Sequence, residues 1–298
     1  MKSPVHESPS AAPAGTGAAV ALDGRRFIVT GASSGIGRVT ARRLAGMGAH
    51  VVIAGRSVEG CEAVALELRQ QGDPARIEVL ALDLADLASV RAAAAQVLAG
   101  GGRIAGLINN AGVAGARGVT RDGFELAFGV NHLGHFLFTR LLEARLRESA
   151  PARVVNISSV AHRRITGIDF HALRQTTRTR TGLHEYGVSK LCNVLFAREL
   201  ARRWAGSGVT SYALHPGVIA TDIWRHVPQP LRWLLTRWMV TPEQGADTTI
   251  LCATAPELAG VSGRYYDQGR EVTPNRVARD DTLAARLWDE SEKMVGLG

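Results

Sequence analysis

An alternation of two kinds of segment does most to narrow what this sequence can fold into. Short apolar, β-branched runs recur along it: RFIVTG at 26–31, HVVIAGR at 50–56, RIEVLALD at 76–83, IAGLINNAG at 104–112, RVVNISS at 153–159 and TSYALHPG at 210–217. Between them lie longer stretches at 36–47, 58–71, 87–99 and 124–148, whose apolar residues recur every three to four positions with charges opposite. Continuously apolar strands separated by amphipathic helices predict a parallel sheet covered on both faces. The expected fold class is therefore α/β, a doubly wound Rossmann-type sheet. No repeat or linker interrupts the rhythm, so one domain is expected over 22–298, and a hydrophobic content of 46% suffices for its core.

Residues 1–21 are mostly Ser, Pro, Ala and Gly without apolar periodicity, and are expected to be a disordered tail. They contain no apolar h-region behind basic residues, and no window offers the roughly 18 apolar residues of a membrane span. Cys61, Cys192 and Cys252 are far apart and form neither a disulfide framework nor a zinc motif. A reducing cytoplasm is the expected location. The formal charge of +8 comes from scattered arginines rather than one basic run, so it reads as a solvated surface and not a nucleic-acid interface.

The segment TGASSGIG, 30–37, joins the first strand to its helix. Gly31, Gly35 and Gly37 permit a tight turn and close approach of backbone to a pyrophosphate, with the helix N-terminus directing free amides at its charge. Ser33, Ser34 and Ile36 complete the turn. At the end of the second strand an acid would bind the ribose 2′-hydroxyl of NAD, whereas a base accepts the extra phosphate of NADP. Here Gly55 replaces the acid, and Arg56 with Ser57 offers charge and hydrogen bonds. NADP(H) is the expected cofactor, with NAD(H) as the alternative.

YGVSK, 186–190, opens the helix after the fifth strand, and residues four apart share a helix face. A free tyrosine has a pKa of about 10, and a nearby ammonium favours the phenolate. Tyr186 and Lys190 form such a pair, joined by Ser158 and Ser159 at the end of the fifth strand, Asn131 in the preceding helix, and NNAG, 109–112.

The glycine turn, NNAG, Asn131, the serine pair and YGVSK, in that chain order, resemble the short-chain dehydrogenase/reductase family, and the likeness covers nearly the whole chain after the tail. VNHLGHFLFT, RVVNISSVAH and LHPGVIATDI are similar to its retinol dehydrogenase and WW-domain oxidoreductase branch, which has many bacterial relatives. The resemblance implies an enzyme interconverting an alcohol and a ketone or aldehyde. Tyr186 is then the proton donor and acceptor, Lys190 lowers its pKa and binds the nicotinamide ribose, and Asn131 holds a water beside Lys190. Ser159 polarises the substrate oxygen. The family's serine is the second of such a pair, and neighbouring strand side chains face opposite ways. For the cofactor the resemblance implies Asp83 and Leu84 beside the adenine, and Asn109, Ala111 and Gly112 along the ribose and nicotinamide. Pro216, Gly217, Val218 and Thr221 would surround the carboxamide. Asp83 has a second reading, as the cap of the following helix.

Trp224, Trp233 and Trp238 stand in an apolar stretch, 221–242, with three readings: a substrate lid, an oligomer contact or a peripheral membrane contact. The family resemblance favours the lid, and with it a bulky lipophilic substrate. It also implies a homodimer or homotetramer assembled through helices 124–148 and 186–204. His162, His184 and His215 lack metal-ligand partners at useful spacing and are expected to pack or face solvent. The rival functional readings are a non-catalytic NADP(H) sensor and a partner-binding module on the same fold.

Overall fold

The computed structural model describes residues 21–217 and 241–298. Val218, Thr221 and the three tryptophans of 221–242 lie outside the described residues, as does the expected tail up to residue 20. One eight-stranded sheet organises the rest, in the order β3-β2-β1-β4-β5-β6-β7-β8. Its strands are β1 Arg26–Thr30, β2 His50–Gly55, β3 Ile77–Ala81, β4 Gly106–Asn109, β5 Ala152–Ile157, β6 Val209–His215, β7 Arg264–Asp267 and β8 Arg270–Glu271. All pairings are parallel except β7 with β8. The doubly wound α/β fold is thus the observed one.

Both faces are covered, which is why β1 reads as an unbroken apolar run: Phe27, Ile28 and Val29 are all fully buried. On one face lie helices α1 Gly35–Gly46 and α2 Val58–Gln71, and on the other α3 Leu87–Ala99. Strand order reverses between β1 and β4, so the loops leaving their carboxyl ends border the crevice where such sheets bind ligands.

The single helix expected over 124–148 is instead a series: α4 Leu126–Phe128, a π-helical turn Gly129–Leu133, α5 Gly134–Leu141 and α6 Glu143–Glu148. Two glycines permit close approaches along it. A Cβ at Gly129 would stand 2.2 Å from Thr120 Cγ2, and one at Gly134 would stand 2.6 Å from the Leu84 carbonyl oxygen. Asn131 sits inside the π turn, a distortion frequent at functional sites.

The remaining α-helices among the described residues are α7 Leu183–Arg203, α8 Pro242–Thr254 and α9 Asp281–Val295. Helix α9 lies across α5 and α7. The Trp288 ring centre sits 5.2 Å from Phe136 and 5.8 Å from Phe196, with the Arg140 and Arg203 guanidinium groups 4.9 and 4.8 Å from it. Arg198 and Arg203 of α7 also pair with Asp281 and Asp289. These α5 and α7 faces carry a helix of the same chain. No helix among the described residues is long and apolar enough to cross a membrane.

Candidate active site

The glycine turn is fixed by sterics that only glycine satisfies. Gly31 has φ +66°, and a Cβ there would stand 2.7 Å from Ala111 Cα. At Gly37 a Cβ would meet the Gly31 carbonyl oxygen at 2.3 Å and Asn110 Nδ2 at 2.5 Å. Gly35, by contrast, has φ +53° and open space wherever a Cβ would point. Helices α2, α3, α8 and α9 are capped by side chains of Ser57, Asp86, Thr241 and Asp280. Helix α1 begins at Ser34 with no side-chain cap, which leaves its first amides free toward the open side. This cradle fits a pyrophosphate.

At the end of β2 the absence of an acid has a packing cause: a Cβ on Gly55 would lie 2.8 Å from Cys61 Sγ. The Arg56 side chain is exposed and forms no ion pair with any described residue. Ser57 Oγ accepts from Gly60 N at 3.0 Å, and Ser33 Cβ lies 3.3 Å from where a Gly60 Cβ would be. Ser33, Arg56 and Ser57 therefore share one rim. Asp83 accepts from Ala85 N at 3.0 Å in a local turn, while Asp86 accepts from Ala88 N at 2.9 Å and is the cap of α3. Leu84 is buried in the core, so only its backbone can border the crevice.

The loop after β4 is tied to β1 by Thr30, whose Oγ1 accepts from Asn110 N at 2.9 Å and from Ala111 N at 3.0 Å. The Asn109 side chain turns inward, donating to Thr139 Oγ1 at 3.1 Å and Asn156 Oδ1 at 2.9 Å. Its backbone is left to meet any ligand. Gly112 passes close to the chemistry: a Cβ there would lie 3.1 Å from Asn131 Oδ1 and 3.4 Å from Lys190 Nζ.

Asn131 is fully buried and its side chain is bonded throughout. Oδ1 accepts from Val113 N at 2.7 Å, and Nδ2 donates to the Val113 carbonyl and Ser189 Oγ, both at 2.9 Å. A water beside Lys190 would thus have to use its main-chain carbonyl or the remaining Oδ1 lone pair. Ser189 in turn donates to the Tyr186 carbonyl at 2.7 Å. The two serines diverge as strand alternation requires. Ser158 Oγ donates to the Lys190 carbonyl at 2.7 Å, away from the crevice, whereas Ser159 Oγ accepts from Ala161 N at 3.2 Å and lies near enough to Tyr186 to lower its phenol's pKa.

Burial raises the Tyr186 phenol above its usual value, and the neighbouring Ser159 hydroxyl opposes that rise. Lys190, expected to pull the phenol down, is itself pushed down to about 8 by burial. Its Nζ donates to the Ile157 carbonyl at 3.0 Å and lies 5.5 Å from the Tyr186 ring centre. The ammonium is directed at the strand end rather than at the phenol. In this geometry burial favours the protonated phenol of Tyr186.

Residues 25–172 match the family model for short chain dehydrogenases. The chain is 44% identical over 289 residues to human retinol dehydrogenase 13, covering 93% of this chain and 86% of that protein. The chain belongs to the short-chain dehydrogenase family. An uncharacterized protein from Mycobacterium paratuberculosis, 35% identical, superposes with a TM-score of 0.75 over 92% of this chain and 94% of that one. A Beutenbergia cavernae relative at 29% identity and TM-score 0.68, covering 84% of this chain and 97% of its own, holds NADP.

As a member of that family, the chain is an NAD(P)-dependent dehydrogenase acting on CH–OH groups. The family motifs converge at the carboxyl edge of β1, β4 and β5, with Pro216 and Gly217 leaving β6 beside them. The buried His162 and His215 adjoin this edge. His162 Nδ1 donates to the Ser159 carbonyl at 2.6 Å, and His215 lies opposite Asp267 in the β6–β7 ladder. Burial lowers the pKa of both, and His184 is exposed. Sequence reading missed the binding partner of the NNAG loop, Thr30 Oγ1, and the residue behind it, His135. No local spacing signals contacts between residues 80 to 105 positions apart.

Proposed function

We propose that this chain reduces the carbonyl group of a bulky lipophilic aldehyde or ketone with NADPH, and that Tyr186 supplies the proton. The observation carrying this reading is the meeting of Tyr186, Ser159 and Lys190 at one strand end. Here burial favours the neutral phenol, and the neighbouring Ser159 hydroxyl opposes that rise.

The dinucleotide, when bound, supplies the carbon that gives or takes hydride. The protein's own groups do the rest. Ser159 Oγ holds the substrate oxygen within reach of Tyr186, whose Oη–H passes its proton to that oxygen as charge develops on it. The Lys190 ammonium compensates the phenolate left behind and binds the nicotinamide ribose, while Asn131 holds a water toward Lys190. Preference for NADP over NAD rests on exposed Arg56 with Ser33 and Ser57, and on the collision with Cys61 that bars an acidic side chain at Gly55. A lipophilic substrate is supported by the apolar, tryptophan-bearing sequence at 221–242 and by the name of the human relative, retinol dehydrogenase 13.

The test follows NADPH absorbance with retinal, steroid ketones and small charged carbonyl compounds. Lipophilic carbonyls are expected to be turned over fastest. Tyr186→Phe is expected to lose about 10³-fold or more in kcat while its NADPH affinity stays within about twofold. Undiminished turnover by that variant would refute the role of Tyr186, and a panel in which only small charged compounds react would refute the substrate class.

A further inference from the structure

His135 is fully enclosed one turn after Asn131, and its ring joins two parts of the site. Nδ1 lies 3.1 Å from the Asn131 main-chain carbonyl oxygen, and Nε2 lies 2.8 Å from Thr30 Oγ1. Hydrogen-bond counting fixes which nitrogen carries the proton. A hydroxyl has one hydrogen and two acceptor positions. Thr30 Oγ1 already accepts from the amides of Asn110 at 2.9 Å and Ala111 at 3.0 Å. Its hydrogen has two candidate acceptors, His135 Nε2 at 2.8 Å and the Ile108 carbonyl at 3.3 Å, and the nearer one is Nε2. A carbonyl only accepts, so Nδ1 must be the protonated nitrogen.

The result is a one-way chain of donors: Asn110 and Ala111 amides to Thr30 Oγ1, Thr30 Oγ1–H to His135 Nε2, and His135 Nδ1–H to the Asn131 carbonyl. It extends into the glycine turn, because Asn110 Nδ2 donates to the Thr30 carbonyl at 2.7 Å and packs where a Gly37 Cβ would stand. Burial and the nearby Lys190 ammonium hold the ring neutral, with a pKa near 4. A protonated ring would have two donors and no acceptor for Thr30.

We propose that His135 is a positioning residue for the reaction inferred above: as the Nδ1–H tautomer, it locks the Asn131 carbonyl in register with the NNAG backbone. This inference rests on that functional reading. One lone pair of the Asn131 carbonyl is held by the imidazole, so the other is aimed for the water serving Lys190. The phosphate turn, the nicotinamide-side loop and the proton path are thereby fixed as one unit. Phe at this position fills the same space and breaks both links. Asn reproduces the Nδ1–H donor alone, and Gln the Nε2 acceptor alone.

The test compares His135→Asn, His135→Gln and His135→Phe for kcat against pH, KM for NADPH, and melting temperature. His135→Gln and His135→Phe are expected to lose roughly 10- to 100-fold in kcat, as misplacement near 1 Å costs. The alkaline limb of their pH profile should move, with KM for NADPH changed far less. His135→Asn, which keeps the donor to the Asn131 carbonyl but loses the acceptor for Thr30, should fall between these and the wild type, losing less than about tenfold in kcat with a smaller shift of the profile. Three variants that melt lower but keep wild-type kcat and profile would show a purely structural role and overturn the proposal. Nitrogen-15 NMR of the wild-type histidines provides a readout independent of turnover and of variant folding. The expected pattern is protonated Nδ1 and bare Nε2, unchanged down to pH 5; an Nε2–H tautomer overturns the proposal. Wild-type protein that neither binds NADPH nor reduces any carbonyl would sink the functional reading itself, and the tautomer measurement would still stand.

Discussion

Around the glycine turn the groups facing outward are backbone amides and one exposed guanidinium; around Lys190 they are buried side chains bonded to backbone. In the first region the constraints are steric. Gly31 and Gly37 are hemmed in, Gly35 is open, and the N-terminus of α1 has no side-chain cap. In the second they are electrostatic. Lys190, Asn131, His135 and Ser158 are nearly or fully enclosed, and each is hydrogen-bonded to main chain. A binding surface must accept a ligand's charge from solvent, and open amides do so without a large desolvation cost. Proton transfer needs groups whose pKa departs from the aqueous value, and only burial among fixed dipoles provides that.

The contrast between the serines is the most sensitive probe of this division. Ser159→Ala is expected to lower kcat by about 10²- to 10³-fold, the usual loss for removing a donor to a developing oxyanion. Ser158→Ala removes only the bond to the Lys190 carbonyl and should cost about 1 kcal/mol of stability with far less loss of kcat. Equal kcat losses in steady-state assays would mean that the inner serine acts on the chemistry.

Arg56→Asp tests the binding region. Loss of a charged hydrogen bond to the 2′-phosphate should shift the ratio of kcat/KM for NADPH over NADH by roughly 10- to 100-fold toward NADH. An unchanged ratio breaks the assignment of this rim to the extra phosphate.

The smallest effect concerns stability. Lys190 falls from an ordinary 10.5 to about 8 on folding, so its burial as a cation opposes folding below pH 8. The unfolded chain binds more protons between pH 8 and 10.5, so the contribution of this residue to stability rises with pH across that window. Lys190→Met should remove this residue's contribution to the pH dependence in denaturant melts while costing little stability near neutrality, since Asn193 Nδ2 still donates to the Ile157 carbonyl at 3.0 Å. A variant that retains the same rise between pH 8 and 10.5 would locate the titration elsewhere.

How much could be read from sequence follows the same physical boundary. Strands β1 to β6 were legible because two covered faces impose unbroken apolar runs, and Ser159 was separable from Ser158 because strand side chains alternate. Strand β7 escaped notice, since RYYD is short and carries charge at both ends. The inward turn of Asn109 and the capping of α3 by Asp86 rather than Asp83 depend on partners that local spacing does not distinguish.

The sequence by itself determined the layered fold and the family, because periodic apolarity and glycine sterics act within a few residues. Only the tertiary structure decided the electrostatics: that burial raises the pKa of the half-buried Tyr186 phenol, that Lys190 faces the Ile157 carbonyl, and that His135 bridges Asn131 to Thr30. Desolvation and hydrogen-bond direction depend on which distant groups surround an atom, and the packed chain alone brings those groups together.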